Sequence, residues 1–307
     1  MDSPTIPVLS LSAPVDGLAA SLGESFARFG FAIVADHGID PALIAEGWQL
    51  TEALFALPDA EKRRWFVPEL AGARGYTPFG REIAKGASAH ALKEFWHVGR
   101  EKGGSSGLPA NLWPERPAGF RACFTALYQA FDAAGLVILS RIARYLGLAD
   151  DWFDHAAAQG NSVLRLLHYP PLPGHAGDAI RAGAHEDINL ITLLLGAEEA
   201  GLELLLPDGR WLAIDPPPGA LVVNIGDMLQ RLTNHVLPST THRVRNPDAT
   251  RAGFSRYSMP FFLHPHSDFA IRTLPGCISH ARPDRYPQAI TAGDYLAERL
   301  REIGLLS

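Results

Sequence analysis

The stretch that decides the fold runs from residue 162 to residue 263, where short apolar segments alternate with turn sequences. Gly-, Pro-, Asn- and Asp-rich sequences such as LPDGR (206–210) and DPPPG (215–219) separate the segments. Many short β-type segments joined by turns are typical of a sandwich or a small barrel and argue against a parallel α/β sheet. The segments read SVLRLLHY (162–169), NLITLLL (189–195), GLELLL (201–206), WLAI (211–214), ALVVNIG (220–226) and SRYSMPFFL (255–263).

Helical periodicity dominates the chain before this stretch. Leu18, Leu22, Phe26 and Phe29 recur on one helical face, and Gly30 is expected to end that helix. The Gly-rich and polar stretch from 72 to 107 is predicted to be an irregular loop. The remaining pattern predicts a short strand within 31–38, a second helix before Pro58 and a third helix over about 117–146.

Composition excludes several classes of protein. The chain has 307 residues, of which 47% are hydrophobic, so overall disorder is excluded. A net charge of −6 disfavours nucleic acid as a partner. The N-terminus carries no basic leader, and no uninterrupted apolar run approaches the roughly 18 residues of a membrane span. With Cys123 and Cys277 expected as reduced thiols, the sequence favours a cytoplasmic protein with no membrane partner and no implied protein partner.

Several common site motifs are missing from the sequence. It contains neither of the Gly-rich phosphate-binding motifs and no G-x-S-x-G elbow. His185-Glu186 begins the zinc-protease pattern H-E-x-x-H, but Asn189 stands where the second histidine belongs. The remaining candidate is therefore the tripeptide His185-Glu186-Asp187.

An H-x-D tripeptide in an extended segment can chelate a metal ion. His185 and Asp187 would project to one face and Glu186 to the other. Spacing leaves a third ligand open between His235 and His242. Two imidazoles and one carboxylate on one side of an ion leave positions for a cosubstrate and O₂, which suits non-haem Fe(II).

The segments around this tripeptide resemble the isopenicillin N synthase-like family of Fe(II)/2-oxoglutarate-dependent oxygenases. The resemblance combines AHEDINLITLLL, PPPGALVVNIGDMLQRLTN, STTHRVRNP and RYSMPFF in the second half with IPVLSL, GFAIVADHGI, LFALPDAEK, RGYTPFG and LKEFWHVG in the first half. It therefore covers both parts of the chain. It implies a mixed fold with a mainly β core, a double-stranded β-helix (jelly roll) with a helical N-terminal region packed around it.

The resemblance also assigns residues. It places the iron triad on His185, Asp187 and His242 and makes His235 a lining or loop residue. The R-x-S pair that grips a carboxylate falls on Arg256 and Ser258, two positions apart on one strand face. Tyr169 matches a tyrosine that reaches the same carboxylate.

One position departs from the family pattern. Leu167 stands where many members have an asparagine that assists 2-oxoglutarate, so one polar contact is lost, while the iron ligands and the countercharge are kept. We expect cosubstrate binding to persist. Asn224, Gly226 and Asp227 are predicted to form a tight turn, and Trp96 and His97 to be packing residues.

The implied activity is oxidation of a small molecule by Fe(II), 2-oxoglutarate and O₂, with succinate and CO₂ released and ascorbate as a reductant. An oxidase of the same family that ignores 2-oxoglutarate would keep the same R-x-S pair for its own substrate. A different class, a silent binding protein or a zinc hydrolase in a jelly roll, is disfavoured by the intact triad.

The stretch that resembles the family's variable substrate loop contains three cations, Arg74, Arg81 and Lys85, which can bind an acidic substrate. The resulting organisation is one compact catalytic unit. Its segments are an N-terminal region with the substrate loop (1–110), a helical support (111–160), the jelly-roll Fe(II)/2-oxoglutarate core (161–265) and a C-terminal extension (266–307).

Overall fold

The computed structural model describes residues 4–70, 72–80, 92–101, 108–171, 182–196, 201–245 and 253–302. Its helices are α1 (Val15–Phe29), α2 (Pro41–Phe55), α3 (Asp59–Lys62), α4 (Phe120–Tyr145), α5 (Asp154–Ala157), α6 (Asp227–Leu232) and α7 (Ala292–Glu302). Its strands are β1 (Val8–Ser10), β2 (Phe31–Ala35), β3 (Gly75–Thr77), β4 (Glu94–Gly99), β5 (Val163–Tyr169), β6 (Ala182–His185), β7 (Ile191–Leu195), β8 (Leu202–Leu205), β9 (Trp211–Ala213), β10 (Leu221–Ile225), β11 (His242–Val244), β12 (Arg256–Leu263), β13 (Ala270–Ile271) and β14 (Ile290–Thr291).

The described strands form two facing sheets and a small ribbon. The larger sheet has the order β1-β2-β10-β7-β12-β5-β4-β3, and the smaller has the order β6-β11-β8-β9. Strands β5 to β12 are divided between the two sheets. The larger sheet contains β5, β7, β10 and β12, and the smaller sheet contains the other four. All pairings among β5 to β12 are antiparallel, and two sheets that divide consecutive antiparallel strands in this way are a jelly roll. The predicted β core is thereby confirmed.

The larger sheet has an apolar outer face and a more polar inner face. On β12, Phe261 points outward and packs against Tyr128 and Phe131 of α4, with ring centroids 5.1 and 5.7 Å away. Because side chains alternate along a strand, Arg256 and Phe262 lie on the inner face, which the smaller sheet covers. The helices therefore support the sheet from behind, and the interior of the roll stays available for chemistry.

Helix α4 is the main support of the outer face. Its 26 residues are long and apolar enough to cross a membrane by composition alone. In the fold, Phe124, Leu127 and Phe131 are fully buried in the main hydrophobic core. The apolar character of α4 is therefore used in packing against the sheet.

Most sequence-based predictions of elements are confirmed, with one clear error. Helix α1 ends at Gly30, which adopts the left-handed conformation (φ +68°) that a glycine tolerates best. The stretch from 72 to 107 is not an irregular loop, because it contributes β3 and β4 to the larger sheet. All six residues of β4 are buried. The Gly-rich sequences on either side of β4 concealed its strand character.

A buried ionic cluster attaches α3 to the larger sheet. The carboxylate of Glu94 accepts hydrogen bonds from Lys62 Nζ (2.8 and 3.0 Å), His168 Nδ1 (2.7 Å) and the Tyr76 hydroxyl. Burial alone would raise the pKa of Glu94, but the hydrogen bonds from His168, Lys62 and Tyr76 outweigh it and hold the pKa below its usual value. The cluster lies on the outer face of the larger sheet, opposite the inner face to which the neighbouring Tyr169 points.

Replacing Lys62 with Met should destabilise the fold. The change leaves the Glu94 charge buried without its cation, which costs about 3–5 kcal/mol, and the free energy of unfolding in urea measures the loss. Arg63→Met, which breaks the exposed pair between Arg63 and Asp59, should cost much less, because solvent screens that pair. Equal losses in the two variants would contradict a structural role for the buried pair.

Candidate metal centre and adjoining pocket

The smaller sheet brings three potential metal ligands together. β6 ends at His185, β11 begins at His242, and the two residues are directly paired across the strands. Asp187 follows two residues after His185. Its Oδ1 lies 3.8 Å from Nε2 of His185 and 4.0 Å from Nε2 of His242. One ligand atom from each side chain lies within 4.8 Å of the others, the only such cluster of three His, Cys, Asp or Glu residues in the described ranges.

Both imidazoles are oriented by backbone carbonyls. Nδ1 of His185 donates to the oxygen of Gly183 (2.7 Å), and Nδ1 of His242 donates to the oxygen of Thr240 (3.1 Å). A carbonyl can only accept, so each neutral ring presents the lone pair of Nε2 toward Asp187. This tautomer is the one that metal-ligating histidines adopt.

The Asp187 carboxylate is fixed through its other oxygen. Oδ2 accepts from the Thr192 hydroxyl (2.6 Å) on β7 and from the Asn224 amide (2.8 Å) on β10. The two donors are paired across adjacent strands, which places them on the same inner face. Oδ1 is thereby left to face the two imidazoles.

The site favours an ionised Asp187 carboxylate beside a neutral His185 ring. Burial opposes the charge on Asp187, but the neighbouring His242 and His185 and the hydrogen bonds from Thr192 and Asn224 outweigh it, so the Asp187 pKa is lowered. Desolvation and the nearby His242 lower the pKa of His185 to about 4. Such a set of anionic oxygen and neutral nitrogen donors fits Fe(II).

Other residues that the sequence left open lie outside the triad. His235, at φ +63°, directs Nε2 to the hydroxyl of Tyr286 (2.6 Å). Asp227 is the first residue of α6 and has no place in the metal cluster. The predicted turn at 224–227 is wrong for Asn224, which lies inside β10.

The R-x-S pair lies on the inner face of β12. Arg256 is paired across the strands with Tyr169, and its guanidinium lies 5.3 Å from the centre of the Tyr169 ring. Ser258 is paired with Leu167. All four side chains are buried. Leu167 packs with Phe95 and Tyr169, so an apolar contact stands at the position of the family asparagine.

A second arginine lies further along this face. Nε of Arg165 donates to Nε2 of His97 (2.5 Å), and Nδ1 of His97 donates to the oxygen of Gly72 (2.6 Å). The Arg165 guanidinium lies 4.5 Å from the ring centre of Phe95 and 5.2 Å from that of Phe262. Phe95, His97, Arg165 and Phe262 therefore form an aromatic and cationic wall, hereafter the β4–β5–β12 wall.

The structure changes one expectation about this region. His97, predicted to be a packing residue, belongs to the wall, whereas Trp96 is fully buried on the opposite face and packs against Trp65 and Phe120. His264 lies two residues after Phe262. Burial lowers the pKa of His264 to about 4, although the charge of Asp187 acts in the opposite direction.

The three predicted substrate-loop cations are not brought together in the described residues. Arg74 is 1% exposed, and its guanidinium donates to the oxygen of Ala73 (2.6 Å) and to Oδ1 of Asn161 (3.3 Å). Neither partner belongs to the triad. Arg81 and Lys85 lie outside the described residues.

Sequence reasoning missed Thr192, Asn224 and Arg165 as site residues. Each is a polar side chain inside an otherwise apolar strand: ITLLL, LVVNI and VLRLLHY. A buried polar group needs a partner. That signal was present in the sequence, but the partners are supplied only by the pairing of the strands.

A jelly roll that presents two imidazoles and one carboxylate at the seam of its sheets defines the class of non-haem iron oxygenases. Comparison with known proteins supports the same class. Residues 160–265 match the family described as the 2OG-Fe(II) oxygenase superfamily, and residues 6–116 match the N-terminal region described as non-haem dioxygenase in morphine synthesis.

The similar proteins include named enzymes and solved structures. Proline hydroxylase buaE of Petromyces alliaceus is 32% identical over 293 residues, which cover 91% of each chain. A 2OG-Fe(II) oxygenase family protein from Caulobacter crescentus is 50% identical with a TM-score of 0.91, covering 98% of this chain and 100% of that one. A Neurospora crassa protein, solved in complex with alpha-KG and thymine, has 27% identity and a TM-score of 0.85, covering 96% of each chain.

The chain belongs to the 2OG-Fe(II) oxygenase superfamily. It is a 2-oxoglutarate-dependent dioxygenase whose cofactor is Fe(II), whose cosubstrates are 2-oxoglutarate and O₂, and whose substrate is a small molecule.

Thr192→Val should weaken metal binding more than it weakens the fold. The change keeps a β-branched residue on β7 but removes a donor to Asp187, and loss of such an outer contact typically costs 10–100-fold in metal affinity. Anaerobic titration with Fe(II) measures the dissociation constant. Thr233→Val, which removes another buried hydroxyl, should leave iron affinity unchanged, and similar affinities in the two variants would contradict this role.

Proposed function

We propose that His185, Asp187 and His242 hold the Fe(II) of this dioxygenase. The observation that carries the proposal is the convergence of three ligand atoms within 4.8 Å where the two sheets meet. Oδ1 of Asp187 lies 3.8 and 4.0 Å from the Nε2 atoms of His185 and His242. These distances are roughly twice a metal–ligand bond of about 2 Å, so one ion fits between the three atoms. The orientation of each Nε2 and the lowered pKa of Asp187 provide ligands that need not lose a proton first.

Arg256, Ser258 and Tyr169 are proposed to bind the far carboxylate of 2-oxoglutarate. A guanidinium on the inner face can bind a carboxylate in a charge-assisted hydrogen bond, and the same carboxylate can also accept bonds from two hydroxyls. The pairing of Arg256 with Tyr169, and of Ser258 with Leu167 beside it, puts all three donors on one patch of the inner face. Leu167 adds no donor there, so the charge of Arg256 supplies most of the affinity.

When bound, the iron supplies the oxidising chemistry, in which one O₂ converts 2-oxoglutarate to succinate and CO₂ and oxidises one C–H bond of the substrate. The protein contributes position and exclusion of water. Thr192 and Asn224 keep Oδ2 of Asp187 occupied, and Phe262, which is paired across the strands with Thr192, covers the inner face beside the centre.

The substrate is proposed to be a small acid that the β4–β5–β12 wall recognises. Arg165 offers a guanidinium between the rings of Phe95 and Phe262, which suits a carboxylate attached to a compact or planar body. Arg74 adds positive potential at the same end, because its guanidinium lies against Gly99, two residues after His97 on β4, and no described carboxylate pairs with it. Proline, named in the buaE relative, carries a carboxylate of this kind.

Anaerobic titration of the Fe(II) protein with 2-oxoglutarate tests the cosubstrate site. A weak visible charge-transfer band should appear and saturate. Arg256→Leu should raise the half-saturating concentration at least about 30-fold, because it strands a buried carboxylate. Arg210→Leu, a change at an exposed arginine, should behave as wild type, and Asp187→Ala should give no band.

Two results would contradict these assignments. Iron bound without any band would remove 2-oxoglutarate from the site, and an unchanged half-saturation in Arg256→Leu would place its far carboxylate elsewhere.

Succinate release with matched acids and amides tests the substrate class. Small carboxylic acids should stimulate release more than their primary amides. Arg165→Gln should reduce the ratio of acid to amide rates about 10–100-fold, the worth of a hydrogen bond to a charged group, whereas Arg210→Gln should preserve it. Equal stimulation by acids and amides in the wild type would overturn an acidic substrate.

A further inference from the structure

One end of the inner face of the larger sheet is open, although the outer face behind it is closely packed. On β5 and the residues just before it, Asn161, Val163 and Arg165 are partly exposed, and the residues between them are buried. On β12, Phe262 is partly exposed and the following Leu263 is buried. Because alternate residues of a strand share one face, the exposed side chains line a hollow on the inner face.

His264 follows the last residue of β12, and its backbone continues the strand. The oxygen of Leu263 accepts from the N–H of Leu190 (3.0 Å), on the β7 side, whereas the N–H of His264 donates to Oγ of Ser162 (3.2 Å), on the β5 side. Backbone groups of successive residues point to opposite sides in an extended strand. The His264 side chain therefore shares the inner face with Phe262 and is partly exposed there.

The ring of His264 has polar atoms without a partner. Within the part of the chain that the structure describes, this ring makes no hydrogen bond, ion pair or ring contact. The rings of His97 and His235, by contrast, are both hydrogen-bonded. A neutral imidazole offers one N–H donor and one acceptor nitrogen in either tautomer. A ligand in the hollow can therefore take a hydrogen bond from this ring or give one to it.

The hollow presents an apolar centre between two polar ends. Phe262 is paired across the strands with Val163. Since β5 and β12 are antiparallel, Arg165 lies two residues beyond this pair in one direction and His264 two residues beyond it in the other. Two residues of a strand span about 6.6 Å, so the two polar residues are separated by about 13 Å along the strands. Phe262 is also paired with Thr192, the donor to the proposed metal ligand, so the apolar centre lies nearest the metal position.

We propose that His264 is a specificity-determining residue, which hydrogen-bonds an uncharged polar group at the end of the substrate opposite its carboxylate. The proposal rests on the proposed function, in which Arg165 binds that carboxylate. The substrate is then a small acid whose apolar or planar body lies over Val163 and Phe262 and whose far end carries a hydroxyl or amide group. The C–H bond that is oxidised belongs to the body, because the body lies beside the metal position.

Anaerobic calorimetry of the full chain, loaded with Fe(II) and 2-oxoglutarate, tests this role by binding alone. The probes are para-(hydroxymethyl)benzoate and para-ethylbenzoate, which differ by a hydroxyl in place of a methyl group. Wild type should bind the hydroxyl probe about 3–10-fold more tightly, the worth of one neutral hydrogen bond. His264→Leu should remove this preference and still bind para-ethylbenzoate as tightly as wild type, because Arg165 and the apolar centre are unchanged.

Three further variants separate the hydrogen bond from packing and from the carboxylate. His264→Gln keeps a donor and an acceptor and should retain a preference for the hydroxyl probe. His155→Leu changes an exposed histidine and should bind both probes as wild type does. Arg165→Gln should weaken both benzoates by the same factor and preserve the preference, because it acts on the opposite end of the ligand.

The contrary outcomes are distinct. Equal affinities of wild type for the two benzoates, or a preference that persists in His264→Leu, overturns the role of His264. The two corresponding benzamides test the carboxylate separately. Amides that bind as tightly as the acids overturn the proposed acidic substrate, while a hydroxyl preference that depends on His264 within the amide pair still supports the role of His264. Absence of binding by all four probes overturns both.

Discussion

The Asp187 carboxylate follows a strand of the smaller sheet but is held by side chains of the larger one. Thr192 and Asn224 reach it from β7 and β10, while His185 and His242 belong to the paired strands β6 and β11. The carboxylate thus spans the seam of the jelly roll. A change in the spacing of the sheets would separate the ligands, so the helical support behind the larger sheet also preserves the metal position.

The alternation of side chains on β12 divides structural from chemical roles. Phe261 and its outward neighbours pack against α4, whereas Arg256, Ser258 and Phe262 face inward. Charged and polar groups in a protein interior are costly unless they find partners. Arg256 and Ser258 lie on one face of β12, opposite the mainly apolar face that packs against α4, and ligand binding explains this arrangement.

Much of this could be predicted from the sequence, because the signals were local. The two-residue spacing of His185 and Asp187 indicated a chelating pair, and short apolar segments indicated the β core. Spacing alone left His235 and His242 equivalent. The family resemblance selected His242, and the fold gives the physical reason, since His235 directs its ring to Tyr286 and His242 is paired across the strands with His185. The parts that could not be predicted depend on strand register or on flanking sequence. Thr192 and Asn224 become partners of Asp187 because β7 and β10 are paired at that level, and β4, with the wall residues it carries, was concealed by its Gly-rich surroundings.

Leu167, in place of the family asparagine, separates two arginines on the inner face of the larger sheet. With no amide at this position, the leucine packs against Phe95 and Tyr169 and forms an apolar strip between Arg256 and Arg165. Because the leucine side chain offers no polar atom to link the two guanidinium groups, the proposed function assigns them to separate anions. In the proposed function, Arg256 binds the cosubstrate and Arg165 binds the substrate. An asparagine at position 167 would add a hydrogen-bond donor between the two arginines, so under the proposed function the leucine helps the protein to keep the cosubstrate and an acidic substrate in separate places.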